Sequence, residues 1–282
     1  MTSLPTVARS LTQLHDVVRQ WQSAGETHAL IPTMGALHDG HLALVQLGRA
    51  QAQRTVASIF VNPTQFAANE DLARYPRDEA GDLAKLASVG CDLVWAPDPA
   101  EMYPHGFATR IVPSGAALGL EGDIRPDFFA GVATVCCKLF NQVLPTLAIF
   151  GEKDYQQLCV VRQVVRDLNL PVTILGAPTL REPDGLAMSS RNRYLSPEER
   201  AVAPNLHKFI QALAQAIRGG KDLESEIQEA IRVLTWTGFK VDYVAVRDAE
   251  TLGRPQAAAL RGLRVLAAAR LGNTRLIDNV PA

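Results

Sequence analysis

The 282-residue chain has almost no net charge: 28 lysines and arginines stand against 29 aspartates and glutamates, a formal −1 at pH 7. Without a basic excess, a broad footprint on nucleic acid or on an anionic membrane surface is excluded. No apolar run approaches the roughly 18 residues that a membrane-spanning helix needs. Residues Met1 to Ser10 lack the charged-then-apolar order of a secretory leader. Cysteine is scarce: Cys91, the adjacent Cys136 and Cys137, and Cys159 form no CxxC and sit among apolar neighbours. They read as small buried hydrophobes in a reducing compartment, without the spacing of a metal site. A fixed-period repeat, a low-complexity segment, a Walker A loop ending in Lys-Ser/Thr and any GxGxxG are missing as well. What is there is 47% hydrophobic and 20% charged, which is enough apolar material for a real core. The length suits one large domain or a large and a small one. A globular, soluble, cytoplasmic protein is the expectation.

Apolar periodicity predicts an amphipathic helix over 11–21, from Leu11, Leu14, Val17, Val18 and Trp21. A buried strand Ala29–Ile31 ended by Pro32 follows, then a helix over 41–52 and a strand Val56–Val61. Further along, helices are predicted over 79–89, 130–144 and 156–168, alternating with strands at Asp92–Trp95, Leu147–Phe150 and Pro171–Leu175. Short apolar strands alternating with helices imply βαβ units: a Rossmann-like, doubly wound parallel sheet with ligands at the carboxyl ends of its strands. The pattern changes after Ala177. Two long helices, 197–218 and 222–236, then strands Val241–Val246 and Leu263–Ala269, predict a smaller α+β domain. The boundary falls near 178–180, giving domains of 1–178 and 179–282.

Four stretches carry chemistry. Between the first strand and the next helix lies Pro32-Thr33-Met34-Gly35-Ala36-Leu37-His38-Asp39-Gly40-His41. There a helix N-terminus offers N–H groups to an anion. Gly35 permits a tight turn, Gly40 permits close approach of a nucleotide, and His38 and His41 suit phosphate oxygens. Past a strand end, Gln65 in Phe60–Phe66 is an uncharged donor suited to a small substrate's carboxylate or hydroxyl. Phe150-Gly151-Glu152-Lys153-Asp154-Tyr155-Gln156-Gln157 also follows a strand, and Lys153 can neutralise charge on a transferring phosphate. Finally, Met188-Ser189-Ser190-Arg191 sets two hydroxyls beside a guanidinium, the makings of a flexible phosphate clamp.

HxGH early and an MSSR-type loop late resemble the signature pair of the nucleotidylyltransferase superfamily. In full, PTMGALHxGH, FVNPTQF, FGEKDYQQL and DGLAMSSRNRYLS, with Arg125–Val135 and Lys138–Asn141, resemble the pantothenate synthetase (pantoate–β-alanine ligase) family from about Ile31 to Leu195. The resemblance implies that ATP and pantoate form pantoyl adenylate and pyrophosphate, and that β-alanine then displaces AMP. It implies ATP binding by Met34, Gly35, Ala36, Leu37, His38, Asp39, Gly40 and His41, by Gly151, Glu152, Lys153 and Asp154, by the main chain of Leu180, and by Met188, Ser189, Ser190 and Arg191. Gln65 and Gln157 are then the pantoate ligands, and His41, His38, Lys153 and Arg191 the catalytic set. Mg²⁺ is expected on phosphate oxygens, with no protein cage legible in the sequence. A homodimer and a C-terminal domain that closes as a lid are further expectations. One departure stands out: the family often has His where this chain has Phe128. Two other readings remain open at this level, a nucleotidylyltransferase acting on a phosphorylated cofactor precursor and a catalytically silent ATP-binding module. The paired glutamines weigh against the first, and the four charged or imidazole side chains against the second.

Overall fold

The computed structural model describes residues 4–66, 72, 75–255 and 262–282. The described residues within 1–152 and 160–177 form one unit, and those within 153–159 and 178–282 a second.

The first unit is a six-stranded, wholly parallel sheet in the order β1-β4-β3-β2-β5-β6. Its strands are β1 (Thr6–Ala8), β2 (His28–Thr33), β3 (Arg54–Ile59), β4 (Leu93–Trp95), β5 (Leu147–Gly151) and β6 (Thr173–Ala177). The helices are α1 (Leu11–Ser23), α2 (Asp39–Gln51), α3 (Glu79–Ser88), the single turns α4 (Pro99–Met102) and α5 (Glu121–Ile124), α6 (Phe128–Val143), and α7 (Tyr155–Asp167), whose first residues belong to the second unit. Helix α1 starts on a capping box in which Ser10 and Gln13 satisfy each other's main-chain N–H, an arrangement worth about 1 kcal/mol. Ala29, Ile31, Ala57, Val94 and Ile149 pack with Leu44 and Val45 of α2 and Leu86 of α3 on one face. On α6, Gln142 accepts the indole N–H of the fully buried Trp95 at 3.1 Å. That bond satisfies a polar group that would otherwise be stranded in the core.

Strand β2 runs through Pro32 instead of stopping before it. His28 turns its carbonyl toward the β5 side, accepting from Thr146, whereas Thr33 turns its carbonyl to Phe60 beyond β3. By that alternation Pro32 faces the β5 side, where pairing has already ended at Leu30–Ala148. The missing N–H therefore costs no ladder bond. Strand β3 ends at Ile59, two residues short of the predicted Val61.

The second unit has helices α8 (Pro197–Val202), α9 (Asn205–Arg218) and α10 (Leu223–Trp236) and an antiparallel sheet β7-β8-β9. The strands are β7 (Lys240–Asp248), β8 (Leu263–Leu271) and β9 (Thr274–Pro281). The predicted single helix over 197–218 is two, because Pro204 has no N–H to give and its ring would crowd the preceding turn. Val265, Ala267, Ala269, Leu276 and Val280 pack against Leu206, Ile210 and Leu213 of α9. β9 had no counterpart in the periodicity analysis. No helix among the described residues is long and apolar enough to cross a membrane.

Candidate active site

The sheet order places the site. From β2 the chain moves outward to β3, while from β5 it moves the other way to β6, so the direction of winding reverses between two adjacent strands. Ligands of open α/β sheets bind in the crevice at the carboxyl ends of such a pair. The Met34–His41 segment leaves β2 there, Gly151 and Glu152 leave β5, and Asn62–Gln65 leaves β3 one strand away.

Gly35 has φ +78° and Ala36 φ +51°. A Cβ on Gly35 would stand 3.1 Å from an Asp82 oxygen and 3.2 Å from Ile59, so glycine answers both the backbone and the space. Ala36, which bears the left-handed strain without that freedom, is held by Asp82 of α3. One carboxylate oxygen accepts the Ala36 N–H and the other the Leu37 N–H, both at 2.8 Å. Lys85, one turn on, donates to the Leu37 carbonyl at 2.8 Å. Burial holds the Asp82 carboxyl above its ordinary range, a rise that the two N–H donors and Lys85 offset only in part.

The two histidines form a reciprocal cap on α2. Nδ1 of His38 accepts the Gly40 N–H at 3.1 Å, and Nδ1 of His41 accepts the His38 N–H at 3.3 Å. Their rings lie 4.1 Å apart, centroid to centroid. An Nδ1 that accepts leaves the neutral ring's proton on Nε2. The cap therefore fixes the tautomer in which Nε2 donates, the form that suits an anionic oxygen. Met34 and Gly40 are half-buried and Asp39 is exposed in the first turn of α2.

Gln65 closes a short 3₁₀ turn, Pro63–Gln65. The fully buried Asn62 donates to its side-chain oxygen at 2.8 Å and to the Gly131 carbonyl at 3.2 Å, and accepts from the Tyr103 hydroxyl at 2.9 Å. That bond sets the Gln65 amide with its Oε1 toward Asn62 and its N–H₂ turned away from it. Arg125 donates to the Gln65 carbonyl at 3.2 Å.

In the second unit, Lys153 and Asp154 pair at 3.7 Å within the turn Glu152–Asp154, and Gln157 is half-buried in the first turn of α7. The predicted flexible clamp has regular local structure. Leu180 accepts from Met188, Arg181 bridges Ala187 antiparallel, and Ser189 caps a 3₁₀ turn, Ser190–Tyr194, by accepting the Arg191 N–H at 3.2 Å. Gly185 turns this hairpin at φ +95°, with His207 of α9 3.1 Å from where a Cβ would stand. Met188, Ser189, Ser190 and Arg191 are half-buried, and the Leu180 side chain is exposed.

Sequence reasoning missed Asp82, Lys85 and Asn62. Asn62 lay inside a quoted motif, but a buried asparagine cannot be told from a turn asparagine in a string. Asp82 looks like any acid in the first turn of an amphipathic helix.

Known proteins resemble this chain along its whole length. The family model described as pantoate-beta-alanine ligase matches residues 6–281. A pantothenate synthetase of Paramagnetospirillum magneticum is 55% identical over 281 residues, 99% of each chain, and one of Bradyrhizobium sp. is 53% identical over the same share. Among solved structures, pantothenate synthetase from Thermus thermophilus superposes with a TM-score of 0.90 at 46% identity, covering 98% of both chains. Pantoate-beta-alanine ligase from Francisella tularensis, solved with beta-gamma ATP and beta-alanine, superposes with a TM-score of 0.83 at 32% identity, covering 98% of this chain and 97% of that one. The turn held by Asp82, the imidazole cap and the three motif loops at one sheet edge therefore sit in a chain similar to these enzymes along its whole length, and the chain belongs to the pantoate-beta-alanine ligase family.

Proposed function

We propose that this protein joins pantoate to β-alanine in two steps, with ATP as the activating substrate. The pantoate carboxylate, ionised at pH 7, attacks the α-phosphorus of ATP; one P–O bond forms and pyrophosphate leaves. The amine of β-alanine then attacks the carbonyl of pantoyl adenylate, forming the amide and releasing a proton and AMP. The first step needs no strong base to make its nucleophile. The barrier is the approach of two anions and the charge gathering on pyrophosphate, which positioning and fixed donors lower.

His38 and His41 donate from Nε2 to phosphate oxygens, and Lys153 and Arg191 place positive charge on the leaving group. Ser189, Ser190 and the Leu180 main chain add hydrogen bonds, Met188 and Met34 line the nucleotide, and Gly151, Glu152 and Asp154 bracket it. Gln65 and Gln157 hold pantoate. Among the described residues no group of three or more histidines, cysteines or carboxylates is arranged to hold a metal ion. Mg²⁺ is placed on the nucleotide's own phosphates, where it would screen their charge. The second unit, with Lys153 and the 180–191 hairpin, acts as a lid that keeps water from the anhydride. A cytoplasmic homodimer is the assembly in which we place this chemistry.

The observation that carries this function is the imidazole cap at the winding reversal: two Nε2 donors set by main-chain bonds at the start of α2. The test omits ATP, pantoate and β-alanine in turn. Pyrophosphate release should need ATP and pantoate but not β-alanine, and His41→Ala or Lys153→Ala should lose about 10²–10³ in rate while remaining folded. Pantoate-independent pyrophosphate release would refute it.

A further inference from the structure

Two consecutive residues near the end of the chain hold both of the second unit's phosphate-directed segments. Asp278 and Asn279 are neighbours on β9, 4% and 3% exposed, and in a strand neighbours point to opposite faces. Asp278 lies opposite Ala267, on the face that packs against α9. It takes both ends of the Arg181 guanidinium, Nη1 at 2.7 Å and Nη2 at 2.9 Å, and His207 Nδ1 stands 3.3 Å from the same carboxylate. Arg181 also donates to the Gly185 carbonyl at 3.0 Å, tying the two arms of the hairpin that leads into Ser189–Arg191.

Asn279 faces the other way. Its amide nitrogen donates to the main-chain carbonyl of Lys153 at 3.0 Å, and its amide oxygen accepts from Arg264 Nε at 2.7 Å. Arg264 is 8% exposed and stacks 3.9 Å from the ring centroid of Tyr155, two residues beyond Lys153. Tyr155 in turn donates its hydroxyl to the Ala249 carbonyl at 2.9 Å. The Asn279 amide thus has its flip set by Arg264 and can present only N–H to Lys153.

We propose that Asp278 and Asn279 are positioning residues for the ligase reaction: one strand fixes the hairpin bearing Ser189, Ser190 and Arg191 through Arg181, and the turn bearing Lys153 through its carbonyl, so that the cationic groups keep one spacing. The proposal rests on the roles given above to Lys153 and Arg191. Neither residue touches substrate; each acts through another. Charge-assisted and bidentate contacts of this kind order a segment strongly, and displacement by about 1 Å at a reacting centre costs about 10²-fold in rate.

Asn279→Asp separates the functions, since the carboxylate still accepts from Arg264 but replaces the donor to Lys153 with an oxygen that repels its carbonyl. Arg181→Lys keeps a half-buried cation beside Asp278 and loses the fork. Amide hydrogen exchange on the full-length protein should show 152–157 exchanging at least five-fold faster in Asn279→Asp with 180–191 unchanged, and the converse in Arg181→Lys. In steady state Asn279→Asp should lower kcat for pyrophosphate release about 10- to 100-fold with the pantoate KM within two-fold. Both segments loosening together in either variant, or neither loosening, would overturn the proposal, as would a kcat of Asn279→Asp equal to that of an active wild type. A wild type that releases no pyrophosphate refutes the assigned reaction instead, and the exchange pattern still decides whether β9 holds the two segments.

Discussion

The guanidinium carbon of Arg125 lies 3.6 Å from the centroid of the Phe128 ring, and the same group donates to the Gln65 carbonyl at 3.2 Å. The face of the Phe128 ring orients this arginine against the backbone of Gln65, the residue we assign to pantoate. A stack of this kind contributes about 1 kcal/mol, equivalent to about five-fold in affinity. Phe128→Leu keeps apolar bulk and removes the π-face. It should raise the pantoate KM about five-fold with little change in kcat; an unaltered KM would reduce the stack to simple packing.

Asp82 governs the turn that sets up the imidazole cap. Asp82→Asn leaves one oxygen for two N–H groups and turns an N–H₂ toward a main-chain donor, so the 35–37 turn loosens. ATP affinity, measured by calorimetry, should fall about ten-fold, with the pantoate KM less affected. Equal weakening of both ligands would point to general damage.

Acid stability reports on His28. Its Nε2 lies 2.8 Å from the Val143 carbonyl, and burial lowers its pKa from the ordinary 6.5. Folding to a state that binds the proton less well contributes stability that is present above about pH 6.5 and is lost as pH falls through the lowered value. The thermal midpoint should therefore drop between pH 7 and pH 5. His28→Gln, which retains a donor for Val143, should flatten that slope. Asp278, held below the usual carboxylate range by His207 and Arg181 despite burial, loses its contribution only under more acidic conditions, below about pH 4.

The cysteines are expected to be inert. Burial pushes the Cys91 and Cys137 thiols up to about 11 and raises Cys136 further. At pH 8 a thiol of that kind is ionised to about one part in a thousand. Iodoacetamide should leave the native protein unmodified over an hour by mass spectrometry and alkylate all four cysteines in urea. Rapid native alkylation at Cys136 or Cys137 would contradict their place inside α6.

Much of this was legible in residues alone. The βαβ alternation is written in short apolar strands whose period differs from that of the helices between them, and the motif loops fall at strand ends because that is where turn residues must lie. Strand β2 passes through Pro32 because its N faces a side where pairing has stopped, a fact of sheet register that no local window contains. The break at Pro204 was legible and was overridden by apolar spacing on both sides of it. β9 escaped because Asp278 and Asn279 interrupt its alternation with buried polar groups, whose partners, Arg181 and Lys153, lie far away in sequence. Asp82 was hidden for the same reason: a long-range acceptor resembles a solvated acid until its donors are known.

In the proposed reaction the pantoate carboxylate itself attacks the α-phosphorus. Pantoate labelled with ¹⁸O in its carboxylate, turned over with ATP and β-alanine, tests this most directly by mass spectrometry of the nucleotide product. One labelled oxygen should appear in AMP, carried across in the bridging position of the adenylate. Unlabelled AMP, or label in inorganic phosphate with ADP formed, would contradict it.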